Sequence, residues 1–115
     1  MKLGEVRIAK FPTVDGSAPK SRPVVVIQAD FYNSRIRNVL VAQITSTLAR
    51  QNDPAHLFID ISTPEGKQTG LQTNSLVSCI NIAVLSQHSA NRKIGELTDD
   101  MMSKLDDCIR AAFGV

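Results

Sequence analysis

Residues 16–27 read Gly-Ser-Ala-Pro-Lys-Ser-Arg-Pro-Val-Val-Val-Ile, so a polar loop leads directly into an apolar strand. Pro23 fixes its own φ and crowds the residue before it, which favours an extended backbone at Arg22. We therefore expect Arg22 at the rigid start of a buried strand. Residues 39–47 form a second apolar segment, Val-Leu-Val-Ala-Gln-Ile-Thr-Ser-Thr, which ends in hydroxyls. A fixed guanidinium beside several hydroxyls is suited to binding a phosphodiester.

Short apolar segments recur along the whole chain, with loops rich in Pro, Gly, Ser and Asp between them. This spacing predicts β-strands over residues 5–11, 23–28, 38–44, 56–61, 75–84 and 93–96, and a loop over residues 63–73. No long helical pattern separates successive strands, so parallel βαβ units are not expected. The sequence predicts a mainly β fold, a small curled sheet or barrel with one C-terminal helix.

The C-terminal residues have the periodicity of an amphipathic helix. Thr98 is a suitable N-cap, two aspartates follow in the first turn, and Gly114 stands where a C-terminal cap is expected. One apolar stripe is formed by Met101, Leu105, Cys108, Ile109 and Ala112. This stripe is expected to pack on the sheet, although it could instead form part of a dimer interface.

Length and composition predict one globular domain over residues 1–115. Hydrophobic residues make up 43% of the chain and charged residues 21%. No apolar run approaches the roughly 18 residues of a membrane span, and the N-terminus lacks the apolar region of a signal peptide. We therefore expect a cytoplasmic protein that does not contact membranes. Cys79 and Cys108, which lack metal-ligand spacing, are expected to be reduced packing residues, and no zinc or other metal site is predicted.

Charge is unevenly distributed although the net charge is only +2. Residues 1–50 contain eight Lys or Arg against three acids, a balance of +5. Residues 96–115 contain two cations against five acids, a balance of −3. A basic first half and an acidic helix suggest a cationic face for a polyanion. The alternative is an ordinary mixed surface without a charged ligand.

The order of several segments resembles a known family. These segments are Gly4-Glu5-Val6, Arg22-Pro23, Ala42-Gln43-Ile44-Thr45-Ser46, Gly70-Leu71, Ser75-Leu76-Val77-Ser78-Cys79 and Lys93-Ile94-Gly95-Glu96-Leu97-Thr98. Over nearly the whole chain this order is similar to that of PemK/MazF-type toxins. The resemblance implies a homodimeric SH3-like barrel that cleaves single-stranded RNA, often messenger RNA, at short sequences. It also implies a cognate antitoxin whose disordered acidic tail lies in the RNA groove.

Two positions carry the catalytic roles that the resemblance implies. The family's Arg-Pro arginine falls on Arg22, and its strand-end threonine falls on Thr45. Arg22 keeps its charge and can stabilise the phosphoryl oxygens, while Thr45 can donate to a non-bridging oxygen. Without the family resemblance, Arg22 could instead be interpreted as the partner of Asp15 or Asp30 in an ion pair. Thr45 could be interpreted as a cap of the turn after its strand.

The general base is not identified by the sequence. In many relatives an acid follows the glycine that opens the long loop, and an Arg or Asp stands on the fifth strand, but this chain has neither. His56, His88 and Asp15 are the remaining candidates, and each is also readily interpreted as an ordinary surface residue.

RNA contacts outside the catalytic pair are expected from polar residues of loops and strand ends. The predicted RNA-binding residues are Ser17, Lys20, Ser46, Thr73 and Asn81, and Arg35 and Arg37 could also contact backbone phosphates. Aromatic residues are few, and Phe31 and Tyr32, in a turn after the second strand, could be exposed. Base recognition would then depend mainly on hydrogen bonds.

Three functions are consistent with these features. The first is an endoribonuclease toxin that uses no cofactor and binds single-stranded RNA, an antitoxin and a second copy of itself. The second is a gyrase poison with the same barrel, acting through the end of its C-terminal helix. The third is a relative that binds RNA or antitoxin without cleaving RNA. Cleavage of RNA separates the first function from the other two.

Overall fold

Six antiparallel strands form one sheet, and the longest helix packs on one of its faces. The computed structural model describes all residues, 1–115. The strands are β1 Glu5–Phe11, β2 Lys20–Val26, β3 Asn38–Thr45, β4 His56–Ile59, β5 Ser75–Ser86 and β6 Arg92–Glu96. The helices are α1 Asp30–Asn33, α2 Pro64–Gln68 and α3 Asp99–Phe113, and Gln87–Ala90 form a 3₁₀ turn. The spatial order β4-β5-β3-β2-β1-β6 makes a curled half-barrel, so the predicted fold class is confirmed.

Two segments differ from the sequence prediction. Strand β2 begins at Lys20 rather than Pro23, because Lys20 pairs with Phe11 and extends the ladder with β1. The prediction of a continuous loop over residues 63–73 is wrong, because that segment contains α2. Thr63 Oγ1 accepts a hydrogen bond from the Gly66 N–H at 3.0 Å, and Pro64 follows it in the first turn. A capping residue followed by proline is a helix-start signal that outweighs the loop-like composition.

The sheet buries apolar side chains on both faces. The larger core lies between the sheet and α3 and contains Val6, Val25, Ala42, Ile44, Leu57, Ile59, Val77, Cys79, Leu97, Met101, Leu105 and Cys108. The smaller core contains Ala9, Phe11, Val24, Val26, Val39, Val41 and Ala90. Because strand side chains alternate between faces, a continuous valine run such as residues 24–26 requires burial on both sides.

Helix α3 is capped as the sequence predicts. Thr98 Oγ1 accepts from the Met101 N–H at 3.2 Å, and Gly114 ends the helix in the left-handed conformation. Its apolar stripe packs on the sheet, as expected. Both cysteines are free and buried, and burial raises the pKa of the Cys79 thiol to about 12, with a smaller contribution from Cys108. No helix is long and apolar enough to cross a membrane.

A bulge in β5 interrupts its pairing with β3. Ala42 pairs with Ile82, but the next residue of β3, Gln43, pairs with Ser78. Three residues of β5, numbers 79–81, therefore have no counterpart in β3. Such bulges redirect side chains and are frequent near functional sites. In this chain the bulge leaves Asn81 exposed beside the ends of β2 and β3.

A buried carboxylate joins β1 to the β6 edge. Glu5 Oε1 accepts from the Lys2 N–H and from Arg7 Nη2, both at 2.8 Å, and Glu5 Oε2 lies 3.4 Å from Lys93 Nζ. Arg7 Nη1 also donates to the carbonyl of Ala90 at 3.1 Å. Burial by itself raises the pKa of Glu5, but the hydrogen bonds from Arg7 and Lys2, the Arg7 charge and Lys93 outweigh burial and lower the pKa to about 2.

Replacing Glu5 should change how stability depends on pH. Because its pKa lies below the ordinary value of 4.5, ionised Glu5 stabilises the fold above about pH 4.5, and this contribution is lost as the pH falls towards 2. Glu5→Gln should therefore lower the free energy of unfolding at pH 7 by about 3 kcal/mol. Urea denaturation of both proteins between pH 2 and 7 measures the difference, which should shrink at the acidic end.

Glu96→Gln is the matched control, since Glu96 is an exposed carboxylate 3.8 Å from the same Lys93. Its stability should remain within about 0.5 kcal/mol of the parent protein. If the free energies of unfolding of Glu5→Gln and the parent protein differ by the same amount down to pH 2, the assigned ionisation of Glu5 is contradicted.

Candidate functional site

The register of β2 and β3 sets the candidate catalytic residues opposite each other. Val24 pairs with Gln43, and continuing this antiparallel register by two residues places Arg22 opposite Thr45. Directly opposed residues of antiparallel strands lie on the same face of the sheet, with Cβ atoms about 5 Å apart. The guanidinium and the hydroxyl are therefore held on neighbouring strands of one sheet rather than on mobile loops.

The Arg22 guanidinium has no hydrogen-bond or ion-pair partner within the protein. The alternative interpretation, an ion pair with Asp15 or Asp30, is wrong. Asp15 accepts hydrogen bonds from Ser17, and Asp30 accepts from the Leu3 N–H at 2.7 Å and from the Asn33 amide. The half-buried Arg22 is left with a full set of donors for a ligand.

The Thr45 hydroxyl caps the turn after β3, which is one of the two roles that the sequence allows. Its Oγ1 accepts from the Thr47 N–H at 3.2 Å, so the hydroxyl fixes the turn after β3. A hydroxyl that accepts one hydrogen bond still has its own hydrogen to donate. Thr45 can therefore cap the turn and donate to a phosphoryl oxygen at the same time.

A groove of about 460 Å³ runs from Arg22 across the end of the sheet. Predicted residues Ser46 and Thr73 line it, and so does Arg92, the first residue of β6. Arg92 pairs with Ile8 of β1, which sets it beside the β1–β2 ladder. The sequence indicated no second cation near Arg22, because the pairing of β6 with β1 cannot be read from local pattern.

Two smaller pockets adjoin this groove. One, of about 240 Å³, is lined by Asp15, Arg22, Gln43 and Asn81, among others. The other, of about 190 Å³, includes Gln43, Thr45 and Asn81 in its lining. Arg22 thus borders the groove and the first pocket, and Asn81 borders both pockets.

Two of the predicted RNA-binding residues lie away from these cavities. Ser17 Oγ donates to Asp15 Oδ1 at 2.7 Å, and the Ser17 carbonyl accepts from the Thr13 hydroxyl at 2.6 Å, so Ser17 is tied into its own loop. Lys20 is exposed at the start of β2 and lines none of the three cavities.

The interpretation of His56 as a surface residue is wrong. Its side chain is 2% exposed, with Nδ1 at 3.0 Å from Asp53 Oδ1 and Nε2 at 3.0 Å from Ser78 Oγ. Both ring nitrogens are therefore occupied inside the protein. His56 stands at the start of β4, whose pairing with β5 buries it against Ser78. No local pattern of the sequence indicates this burial, because it depends on the partner strand.

The other candidate bases differ in position. His88 is exposed in the 3₁₀ turn and borders none of the three cavities. Asp15 is the only one of the three candidates that lines a cavity together with Arg22. Hydrogen bonds from the Ser17 side chain and N–H lower the pKa of Asp15, which makes its carboxylate a weaker base.

Comparison with known proteins gives consistent matches along the chain. Residues 2–113 match the family model of PemK-like, MazF-like toxins of type II toxin–antitoxin systems. The chain is 30% identical over 116 residues to endoribonuclease EndoA of Bacillus subtilis, covering 100% of this chain and 96% of that protein. It is 34% identical over 108 residues to endoribonuclease MazF6 of Mycobacterium tuberculosis, covering 92% and 90%.

Solved structures share the fold. The Mycobacterium tuberculosis toxin MazF-mt6 has a TM-score of 0.77 at 27% identity, covering 96% of this chain and 97% of that one. An endoribonuclease in complex with its cognate antitoxin, from a mycobacterial species, has a TM-score of 0.75 at 19% identity, covering 100% and 96%. At 19% identity the second likeness supports the fold alone.

Proposed function

Because the chain belongs to the PemK-like, MazF-like toxins of type II toxin–antitoxin systems, we propose that it is an endoribonuclease that cleaves single-stranded RNA, messenger RNA included, at short sequences. The curated relatives that it matches over nearly their full length are named endoribonucleases. Family membership therefore favours RNA cleavage over the gyrase-poison alternative.

The proposed reaction needs no metal ion, because the RNA supplies its own nucleophile. The 2′-oxygen attacks phosphorus and the bond from phosphorus to the 5′-oxygen breaks, giving a 2′,3′-cyclic phosphate and a 5′-hydroxyl. The 2′-hydroxyl loses a proton and the leaving 5′-oxygen gains one, and acid–base assistance contributes about 10²- to 10⁴-fold. The added negative charge on the phosphoryl oxygens requires positioned donors.

Arg22 and Thr45 supply these donors in our proposal. The observation that carries it is that the Arg22 guanidinium has no partner in the protein, and the register of β2 and β3, continued two residues beyond the Val24–Gln43 pair, sets Arg22 opposite Thr45. The guanidinium fork suits two phosphoryl oxygens, and the Thr45 hydroxyl can donate to one of them. Ser46 lines the adjoining groove and can assist.

Arg92 is proposed to bind a phosphate that flanks the cleaved bond. It lines the same groove as Arg22 and, like Arg22, it forms no ion pair within the protein. Removing one phosphate contact from single-stranded nucleic acid reduces the slope of log affinity against log salt by about 0.7. Arg92→Ala should therefore raise KM several-fold at low salt and leave kcat almost unchanged, as measured by steady-state cleavage at several salt concentrations.

Arg110→Ala is the control for this prediction, since Arg110 is an exposed arginine on α3, outside the cavities. Its salt slope should equal that of the parent protein. An unchanged slope for Arg92→Ala would contradict the phosphate contact.

The partners follow from the family in the same proposal. As a toxin of a type II pair, the protein is neutralised by a cognate antitoxin, and an acidic disordered tail suits the arginine-lined groove. We also propose that the chain acts as a homodimer, forms a single domain over residues 1–115 and works in the cytoplasm, where messenger RNA is found.

The test is a cleavage assay in EDTA with a long transcript, mapped by primer extension, on the parent protein and Thr45→Val. Discrete cuts that weaken strongly in Thr45→Val support the proposal. A folded parent protein that leaves the transcript intact would contradict cleavage and favour the alternative of a relative that only binds RNA or antitoxin. Cuts that require added metal would contradict the metal-independent chemistry.

A further inference from the structure

A chain of hydrogen bonds lies behind the 190 Å³ pocket next to Thr45. Asp53 Oδ1 is 3.0 Å from His56 Nδ1, His56 Nε2 is 3.0 Å from Ser78 Oγ, and Asn81 Nδ2 is 2.9 Å from Ser78 Oγ. His56 and Ser78 are buried, whereas Asn81 is exposed at the mouth of the pocket. The four residues therefore connect a carboxylate on the β3–β4 loop to an amide on the substrate-facing surface.

The donor and acceptor roles in this series of hydrogen bonds follow from Asp53. The pKa of Asp53 is lowered by the Ala55 N–H and then by His56, so its carboxylate is ionised and can only accept. An accepting carboxylate makes His56 Nδ1 the donor of the first bond. Ser78 Oγ lies 3.0 Å from His56 Nε2 and accepts from the Asn81 amide nitrogen at 2.9 Å. The Asn81 amide nitrogen is thus turned inward, and its amide oxygen has no partner in the protein.

The backbone at Asn81 is fixed by a separate contact. Within the β5 bulge, the Cys79 N–H donates to the carbonyl of Ala55 at 3.0 Å, which ties the bulge to the residue that precedes β4. The bulge and the side-chain hydrogen bonds therefore hold both the position and the orientation of the Asn81 amide.

The lining of the pocket suits a nucleobase better than a phosphate. Its lining contains two apolar residues, Ala49 and Leu76, one cation, Arg50, and the buried His56, and the remaining polar groups are the amides and hydroxyls of Gln43, Thr45, Thr47, Ser78 and Asn81. Asn and Gln side chains pair with base edges through two hydrogen bonds. In single-stranded RNA the bases are unpaired, so their Watson–Crick edges are available, and an arginine plane can stack on them.

We propose that this pocket binds one nucleobase of the RNA and that Asn81 reads its edge, with Asp53, His56 and Ser78 as positioning residues. The inference rests on the proposed function, and it adds the side chains that select one base beside the cleaved phosphate. Because Thr45 lines the same pocket, the recognised base belongs to a nucleotide next to the phosphate that Arg22 and Thr45 hold.

The test measures base preference rather than activity alone. Oligonucleotides randomised around one cleavage site are cleaved in EDTA, and their ends are sequenced. Binding of the same fluorescent pools is measured by anisotropy. Asn81→Ala should reduce the discrimination at one position next to the cut by roughly tenfold or more, and leave the other positions unchanged. Ser78→Ala should weaken the base preference at the same position, and it should raise KM by a larger factor than it lowers kcat.

Ser75→Ala is the control for the loss of a buried hydroxyl, since Ser75 lies on the same strand and donates to the Thr73 carbonyl at 2.9 Å. It should keep the parent base preference at the position that Asn81 reads. If Ser78→Ala does not fold, Asn81→Ala still decides the question, because its side chain is exposed.

The outcomes separate this inference from the proposed function. A parent protein that cuts RNA, with an Asn81→Ala variant that keeps every base preference, would overturn the base pocket alone. A parent protein that binds but does not cut would overturn the proposed function, and the anisotropy data would still show whether Asn81 selects a base. Equal affinity of the parent protein for all oligonucleotide pools would overturn the proposal that the pocket binds a selected base.

Discussion

Arg22→Ala should fold like the parent protein and lose RNA cleavage by about 10²- to 10³-fold in kcat, which corresponds to about 2.7–4 kcal/mol of transition-state stabilisation. The guanidinium forms no bond within the protein, so its removal leaves no buried partner unsatisfied. The loss should appear mainly in kcat, because the charge on the phosphoryl oxygens grows in the transition state. Single-turnover cleavage in EDTA, with thermal denaturation as the folding check, measures both quantities.

Arg22→Lys distinguishes charge from geometry at the same position. Lysine keeps the positive charge but lacks the planar fork that binds two oxygens at once, so its activity should be intermediate. Arg35→Ala is the control for a general loss of positive charge, since Arg35 instead stacks on the Phe31 ring at 3.8 Å and bonds its carbonyl. Full activity in a folded Arg22→Ala protein would exclude the proposed catalytic role.

Gly70→Ala should strongly destabilise the fold near the site. Gly70 has a φ of +74°, and an added Cβ would overlap the Ile94 carbonyl group, lying only 2.7 Å from its carbon. The left-handed conformation costs about 1–2 kcal/mol for a residue with a side chain, and a forced backbone shift adds about 1–3 kcal/mol. We expect a loss of about 3 kcal/mol and a Tm lower by roughly 10 °C, measured by denaturation.

Gly16→Ala is the matched control, because Gly16 has a similar φ of +81° but no atom within 4 Å of an added Cβ. It should show only the cost of the left-handed conformation. The difference between the two variants then measures the close approach of the loop before β5 to β6. That approach shapes the groove, since residues 70–73 and Arg92 line it. Equal losses for the two variants would show that β6 does not restrict the loop.

Most of the secondary structure could be predicted from the sequence, because its signals are local. Strand β1 was predicted with its observed bounds, and α3 begins and ends at its predicted caps, Thr98 and Gly114. The helix α2 was missed because its five residues are too few to show a helical period, although Thr63 and Pro64 carried its start signal. Phe31 and Tyr32, whose place in a turn left their exposure open, are exposed.

The candidate site could be predicted only in part. Arg22 and Thr45 were selected from the sequence, but their opposition follows from a register that a slip of one residue would destroy. Arg92 was not identified and the burial of His56 was not foreseen, because each residue acquires its surroundings from a partner strand elsewhere in the sequence.

The sequence by itself determined the class of fold, the family and the residue types available for phosphodiester chemistry, since alternation, caps and segment order are written along the chain. Only the tertiary structure decided which strands are neighbours, where β5 bulges and which polar groups are buried together. Those features arise from hydrogen bonds and packing between segments that are far apart in the sequence, as in the bond from the Leu97 N–H to the Gly4 carbonyl, and no local pattern specifies them.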